Sequence, residues 1–368
     1  MPKGSPPPKP SPHIHKLVPY QPGKPIAEVK RELGLTDVVK LASNENALGP
    51  SPKALSAIAE AAAQVHLYPE GACHGLRNAL SGFLGVPPDW LVFGNGSDEL
   101  IHFLGLTYLQ EGHEVLIAEP TFVRYEAAAA LNRATCVRVP LADWAYDVNA
   151  ICKAVSPQTR LIFLANPNNP TGTYMSEDGF AKLVQVLPPD CILCVDEAYY
   201  EYVDAADYPD SLEYVRAGYN VAVLRTFSKI YGLAGLRIGY GVARPEIVSA
   251  LEQVREPFNV NSLAQAAAGA ALQDNEHRER SREMVIAGRV WLTEQLAALG
   301  LRPYPSQANF VWVETLRDAR LLFEELLRKG VIVRTGDIFG APTCLRITIG
   351  TMHENRRLVQ ALKEVLYP

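Results

Sequence analysis

Between Pro50 and Pro257 short β-type runs alternate with helical patterns, and no other feature of the chain constrains its fold as much. Val115–Ala118, Cys136–Pro140, Leu161–Leu164, Cys191–Val195 and Val221–Arg225 are brief and apolar, and Ala-, Leu- and Glu-rich segments separate them. That alternation predicts an α/β fold with a mostly parallel sheet covered by helices. Beyond Gln265 the pattern changes. Helical stretches at about 275 to 299, 316 to 329 and 353 to 366 interleave with Asn309–Glu314, Val331–Thr335 and Cys344–Ile349, which predicts a smaller α/β domain. The expected division is a Pro-rich disordered tail over 1–12, an arm over 13–50 joining the small domain, a large domain over 51–257 and a small domain over 258–368. The sequence shows no internal repeat.

In such a sheet, functional residues collect on loops at the carboxyl ends of strands. Four loops carry them here. Thr226 to Arg237 sets Lys229 among Phe227, Ile230 and Tyr231, which desolvate the ammonium and lower its pKa. A neutral amine is a nucleophile. Ser228 and Arg237 supply a hydroxyl and a planar guanidinium suited to a phosphate, although a lysine snorkelling from a strand end would explain Lys229 alone. Phe93 to Leu100 holds Gly94, Gly96 and Ser97, where a helix running to about Tyr108 begins with Ser97 as its expected cap. A helix start with open N–H groups binds anions, and the spacing is not that of a dinucleotide fingerprint. Asn166 to Gly172 fixes an asparagine amide between two prolines and a glycine. Val195 to Tyr200 places Asp196 at the end of an apolar strand, where a carboxylate needs a cation: a metal, an arginine or a protonated ring nitrogen.

Composition removes other classes of function. The formal net charge of −5 argues against a general nucleic-acid binder. No run reaches the roughly 18 apolar residues of a membrane span, and no signal-peptide pattern opens the chain, so the expected compartment is the cytoplasm. Six scattered cysteines are not a disulfide framework. Cys191 and Cys194 have CxxC spacing but read as two core thiols on opposite faces of a strand, and the histidines form no metal-spaced cluster, so no metal is expected.

Pyridoxal phosphate uses all of these groups at once: a lysine for its aldehyde, a phosphate cup, a carboxylate for its ring nitrogen and donors for its phenolic oxygen. The order NGSDE, PTF, NPNNPTG, DEAY, TFSK, GLAGLRIGY and LRITIG resembles the aspartate-aminotransferase-like enzymes of fold type I over nearly the whole chain. Leu17–Pro25, Lys40–Asn46 and Tyr68-Pro69-Glu70 are similar to the histidinol-phosphate aminotransferase branch. Ala47 stands where that branch often has proline, and Phe122 where it often has tyrosine.

The resemblance implies that Lys229 binds the cofactor and moves the substrate proton, with Asp196 on the ring nitrogen and Asn169 and Tyr199 at the phenolic oxygen. It implies further that Ser97, Asp98 (through its backbone N–H), Ser228 and Arg237 hold the phosphate, that Phe122 stacks on the ring, and that Tyr68 reaches the cofactor of a partner subunit in a homodimer with shared sites. Arg346 would bind the substrate anion, with Arg334, Tyr20 and Asn46 as further substrate contacts. The expected reaction exchanges an amino group between L-glutamate/2-oxoglutarate and L-histidinol phosphate/imidazole acetol phosphate. Rival readings are a phenylalanine and tyrosine aminotransferase, a threonine-phosphate decarboxylase-like lyase, and a cofactor-binding regulator, the last disfavoured because the tail is too short for a DNA-binding module.

Overall fold

The computed structural model describes residues 8–17, 19 and 23–367. Residues 1–7 of the expected tail, and Tyr20, lie outside the described residues. The strands, in chain order, are β1 (Val39–Lys40), β2 (Leu91–Gly94), β3 (Glu114–Glu119), β4 (Thr135–Pro140), β5 (Thr159–Ala165), β6 (Ile192–Asp196), β7 (Val221–Thr226), β8 (Gly239–Val242), β9 (Arg302–Pro303), β10 (Phe310–Glu314), β11 (Val331–Ile332), β12 (Arg334–Thr335) and β13 (Cys344–Thr348).

Seven strands form one sheet in the order β2-β8-β7-β6-β5-β3-β4. β8 is antiparallel to both neighbours, and the other pairings are parallel. Each central strand is buried on both faces, and its residues divide between two apolar clusters. Leu193 and Val195 pack into one, Ile192 and Cys194 into the other. Cys191 and Cys194 fall into opposite clusters, and all six cysteines are thiols. By the same alternation the side chain of Asp196 emerges on the Cys194 face, toward Tyr125 and Phe163. The helices Ser97–Tyr108 and Pro245–Val254 cover that face, while His74–Leu84 and Glu177–Gln185 cover the other.

Four C-terminal strands form a second, antiparallel sheet, β12-β13-β10-β9. The helices Asn275–Ala298, Ala319–Arg328 and Met352–Leu366 accompany it, the last opened by a capping box of Thr351 and Glu354. The run Val331–Thr335, read as one strand, is two: Val331 and Ile332 pair in parallel with β1, and Arg334 and Thr335 pair with β13. The N-terminal segment thereby joins the C-terminal strands, and the Thr348 amide also donates to the Leu41 carbonyl. Among the described residues, no helix is long and apolar enough to cross a membrane.

Candidate active site

The ends of β2, β3, β5, β6 and β7 open on one side of the large sheet, and a cavity of about 440 Å³ lies there against the second sheet. Ser97, Asp98, Phe122, Asn169, Asp196, Tyr199, Ser228, Lys229, Arg237 and Arg346 all line it. Residues from seven separate stretches of chain thus meet at one place.

The loop after β7 presents Lys229, whose Nζ donates to the Ser43 carbonyl at 3.3 Å and lies 5.7 Å from the centre of the Tyr199 ring. Burial, then the nearby Arg346 guanidinium, bring its pKa down to about 8. Across the cavity Asp196 is 5% exposed. Its Oδ2 accepts from the Tyr125 hydroxyl at 2.8 Å and its Oδ1 from the Ala198 amide at 3.2 Å. Burial pushes its carboxyl up to about 6.

Hydrogen bonds run from Arg346 to the N-terminal segment. Arg346, 7% exposed on β13, donates from Nη1 to Asn169 Oδ1 at 2.5 Å and from Nη2 to the Ala42 carbonyl at 2.7 Å. Asn169 Nδ2 reaches the Tyr199 hydroxyl at 3.4 Å, and Asn44 Nδ2 reaches the same oxygen at 3.0 Å. Asn44 has φ 56°, a left-handed conformation that asparagine tolerates. Thr348 and Asn309 hold it there, through its side-chain and backbone carbonyls respectively.

The helix after β2 begins at Ser97, with Gly96 as its N-cap at φ 78° and no side-chain cap. This corrects the expectation that Ser97 caps the helix: it is the first helical residue. The first-turn N–H groups are left to face the cavity. Arg237, itself at φ 57°, packs so close that a Cβ on Gly96 would sit 2.5 Å from its Nη2, and a Cβ on Gly239 would strike the Ser97 amide nitrogen. Ser228 lines the same end, its hydroxyl accepting from Thr226 Oγ1 at 2.9 Å.

Three expected residues lie elsewhere. Asn46 does not line the cavity: its amide nitrogen donates to the Ile230 carbonyl at 2.8 Å and to Ser281 Oγ at 2.9 Å, which braces the lysine loop from behind. Tyr68 is 84% exposed and stacked on Phe258, with centroids 5.0 Å apart, away from this chain's cavity. Arg334 lines an adjoining recess, together with Leu17, Arg320 and Phe339, that meets the main cavity at Phe122, Asn169 and Arg346. Sequence reasoning missed Tyr125 and Asn44. Tyr125 follows the PTF motif and Asn44 lies in the Asn-Glu-Asn triplet, but neither hydrogen bond has a local signature.

The site fits pyridoxal 5′-phosphate. The glycine cradle and uncapped helix start suit its phosphate, the buried carboxylate of Asp196 needs a cationic partner, and Lys229 offers an amine near neutrality.

A family description of class I and II aminotransferases matches residues 36–362. A histidinol-phosphate aminotransferase of Moorella thermoacetica is 53% identical over 96% of this chain and 92% of its own length. One from Anaeromyxobacter sp. is 51% identical over 96% and 98%. The crystal structure of histidinol-phosphate aminotransferase from Sinorhizobium meliloti, in complex with pyridoxal 5′-phosphate, superposes with a TM-score of 0.89 at 30% identity over 97% of each chain. With its fold, its cavity and these relatives in agreement, the chain belongs to the class I and II aminotransferases.

Proposed function

We propose that this chain is a pyridoxal-phosphate-dependent transaminase of histidine biosynthesis, exchanging an amino group between L-glutamate/2-oxoglutarate and L-histidinol phosphate/imidazole acetol phosphate. The observation that carries this reading is the convergence on one cavity of a lysine amine titrating at about 8, a buried carboxylate, and two separate groups for anions, Arg237 beside the helix start and Arg346 on β13.

Bound there, the cofactor supplies a ring that absorbs the electron pair left when the substrate Cα loses its proton. The chain does the rest. Ser97, Ser228, Arg237 and the first N–H groups of the helix hold the phosphate, and Asp196 holds the ring nitrogen. Asn169 and Tyr199 serve the phenolic oxygen, and Phe122 covers the ring face. Lys229 Nζ, partly neutral at cellular pH, takes the proton from the substrate Cα and later returns one. Arg346, held at the cavity wall by its donors to Asn169 and the Ala42 carbonyl, is the cation for an arriving glutamate carboxylate or histidinol-phosphate phosphate, and Arg334 in the adjoining recess is a second contact.

The protein acts in the cytoplasm as a homodimer. Its exposed Tyr68, flanked by exposed Val65 and Leu67, reaches the partner subunit's cofactor phosphate. The test of function is the absorbance of the bound cofactor after adding histidinol phosphate, with phenylalanine in a parallel sample. Much faster loss of the amine-reactive form with histidinol phosphate is expected. Equal or faster change with phenylalanine overturns the substrate assignment in favour of an aromatic aminotransferase, and no change with either overturns the transaminase reading.

A further inference from the structure

Tyr125 is fully buried on the helix Arg124–Leu131, while Asp196 ends β6. The tyrosine ring is stacked on Phe163 with centroids 4.9 Å apart and planes 4° from parallel, and Phe122 meets it edge-on at 5.6 Å. These contacts fix the ring, so the 2.8 Å bond from its hydroxyl to Asp196 Oδ2 has a fixed direction. The Ala198 amide restrains the other oxygen. Phenylalanine would satisfy every packing contact at 125, so the hydroxyl is there for the carboxylate.

We infer that Tyr125 is the positioning residue of Asp196: its hydroxyl aims the carboxylate at the cofactor's ring nitrogen and keeps it ionised in a site otherwise too dry for a charge. This rests on the reading of Asp196 given above. Burial is the main influence raising the Asp196 carboxyl, and the Tyr125 hydrogen bond is the largest one lowering it. Asp98, from the helix Ser97–Tyr108, pushes it up, and Lys229, from the loop after β7, pulls it down. Cys194 on the same strand and Tyr146 stay neutral, since burial raises both well above their ordinary values. Without the hydroxyl Asp196 takes up a proton more readily, and a neutral acid no longer secures a protonated ring nitrogen.

Tyr125→Phe keeps both ring contacts, and titration of the cofactor-free protein with pyridoxal 5′-phosphate is expected to show about tenfold weaker binding, the size of a lost charge-assisted hydrogen bond. In an Asp196→Asn background the same change is expected to cost less than about twofold, because the partner charge is gone. A second readout needs no cofactor. The folded-state pKa of Asp196 lies above its ordinary 3.8, so its contribution to stability is complete below that pH and is lost as pH rises through about 6. Thermal melts against pH should place that loss at higher pH in Tyr125→Phe and show none in Asp196→Asn. Equal losses of cofactor affinity in the two backgrounds, or an unmoved titration, would overturn the inference while leaving the Asp196 reading intact. Wild-type cofactor affinity in Asp196→Asn would overturn the reading itself, and this inference with it.

Discussion

Lys229 is an amine under opposing influences: burial and Arg346 lower its pKa, Glu45 raises it, and the balance falls at about 8. An amine so placed is charged below that pH in both folded and unfolded chains, and its burial then costs stability in full. As pH rises from about 8 towards 10.5 the folded state releases its proton first, so the cofactor-free protein gains stability relative to Lys229→Met, as melts across that window should show. Lys229→Ala should lower turnover by at least about 10²–10⁴-fold, the usual contribution of a proton-transfer group, in stopped assays of amino-group transfer. Arg346→Lys replaces a planar fork with a point charge and should raise the KM for glutamate about tenfold or more in steady-state assays. The cavity positions of Lys229, Asp196 and Arg346 were legible in the sequence because each is a charged group in an apolar run, a local conflict visible without coordinates. Tyr125 and Asn44 were not, because each acts through an atom 71 or 155 residues away and looks locally like an ordinary helical tyrosine or loop asparagine.

Among the elements, the helix Ser97–Tyr108 depends on two glycines outside it. Gly239, the first residue of β8, lets that strand run against the start of the helix. Gly239→Ala should therefore displace the phosphate end, weaken pyridoxal phosphate binding and cost about 1–3 kcal/mol of stability in denaturant titrations, as overpacking does. Gly235→Ala, where a Cβ has open space, should change stability by less than about 0.5 kcal/mol. The glycines of β8 explain what was not legible. The five apolar parallel runs announced themselves, whereas β8 is Gly-Tyr-Gly-Val, whose composition argues against a strand, and its glycines are set by close approach, Gly239 to the Ser97 amide and Gly241 to Val92 on β2 and Leu224 on β7. The split of Val331–Thr335 was hidden for a different reason: pairing partners, not propensity, decide which half joins which sheet, and Val331 pairs with Val39, 292 residues before it, while Arg334 pairs with Arg346.

The whole molecule pairs a strand from near its beginning, β1, with β11 near its end, and draws its cavity from residues as far apart as Ser43 and Arg346. If Tyr68 serves a partner subunit, neither Tyr68→Ala nor Lys229→Ala dimers have a complete site, but a mixed dimer has one. Co-refolding the two variants should restore about a quarter of the wild-type rate, with half the dimers mixed and one working site in each. No restoration would place Tyr68 outside the site. The pairing of Asn44 with Thr348 sets a clock on this architecture. Asn44 emerges from the ribosome 304 residues before the hydroxyl that orients it, a wait of roughly 15–60 s at 5–20 residues per second, and until then the early segment that positions Tyr199 and meets Lys229 lacks its Thr348 anchor. A truncated or stalled nascent chain, however well its large sheet has formed, is born without a working centre. The order of synthesis withholds Arg346 and Thr348 from the centre until the chain is nearly finished.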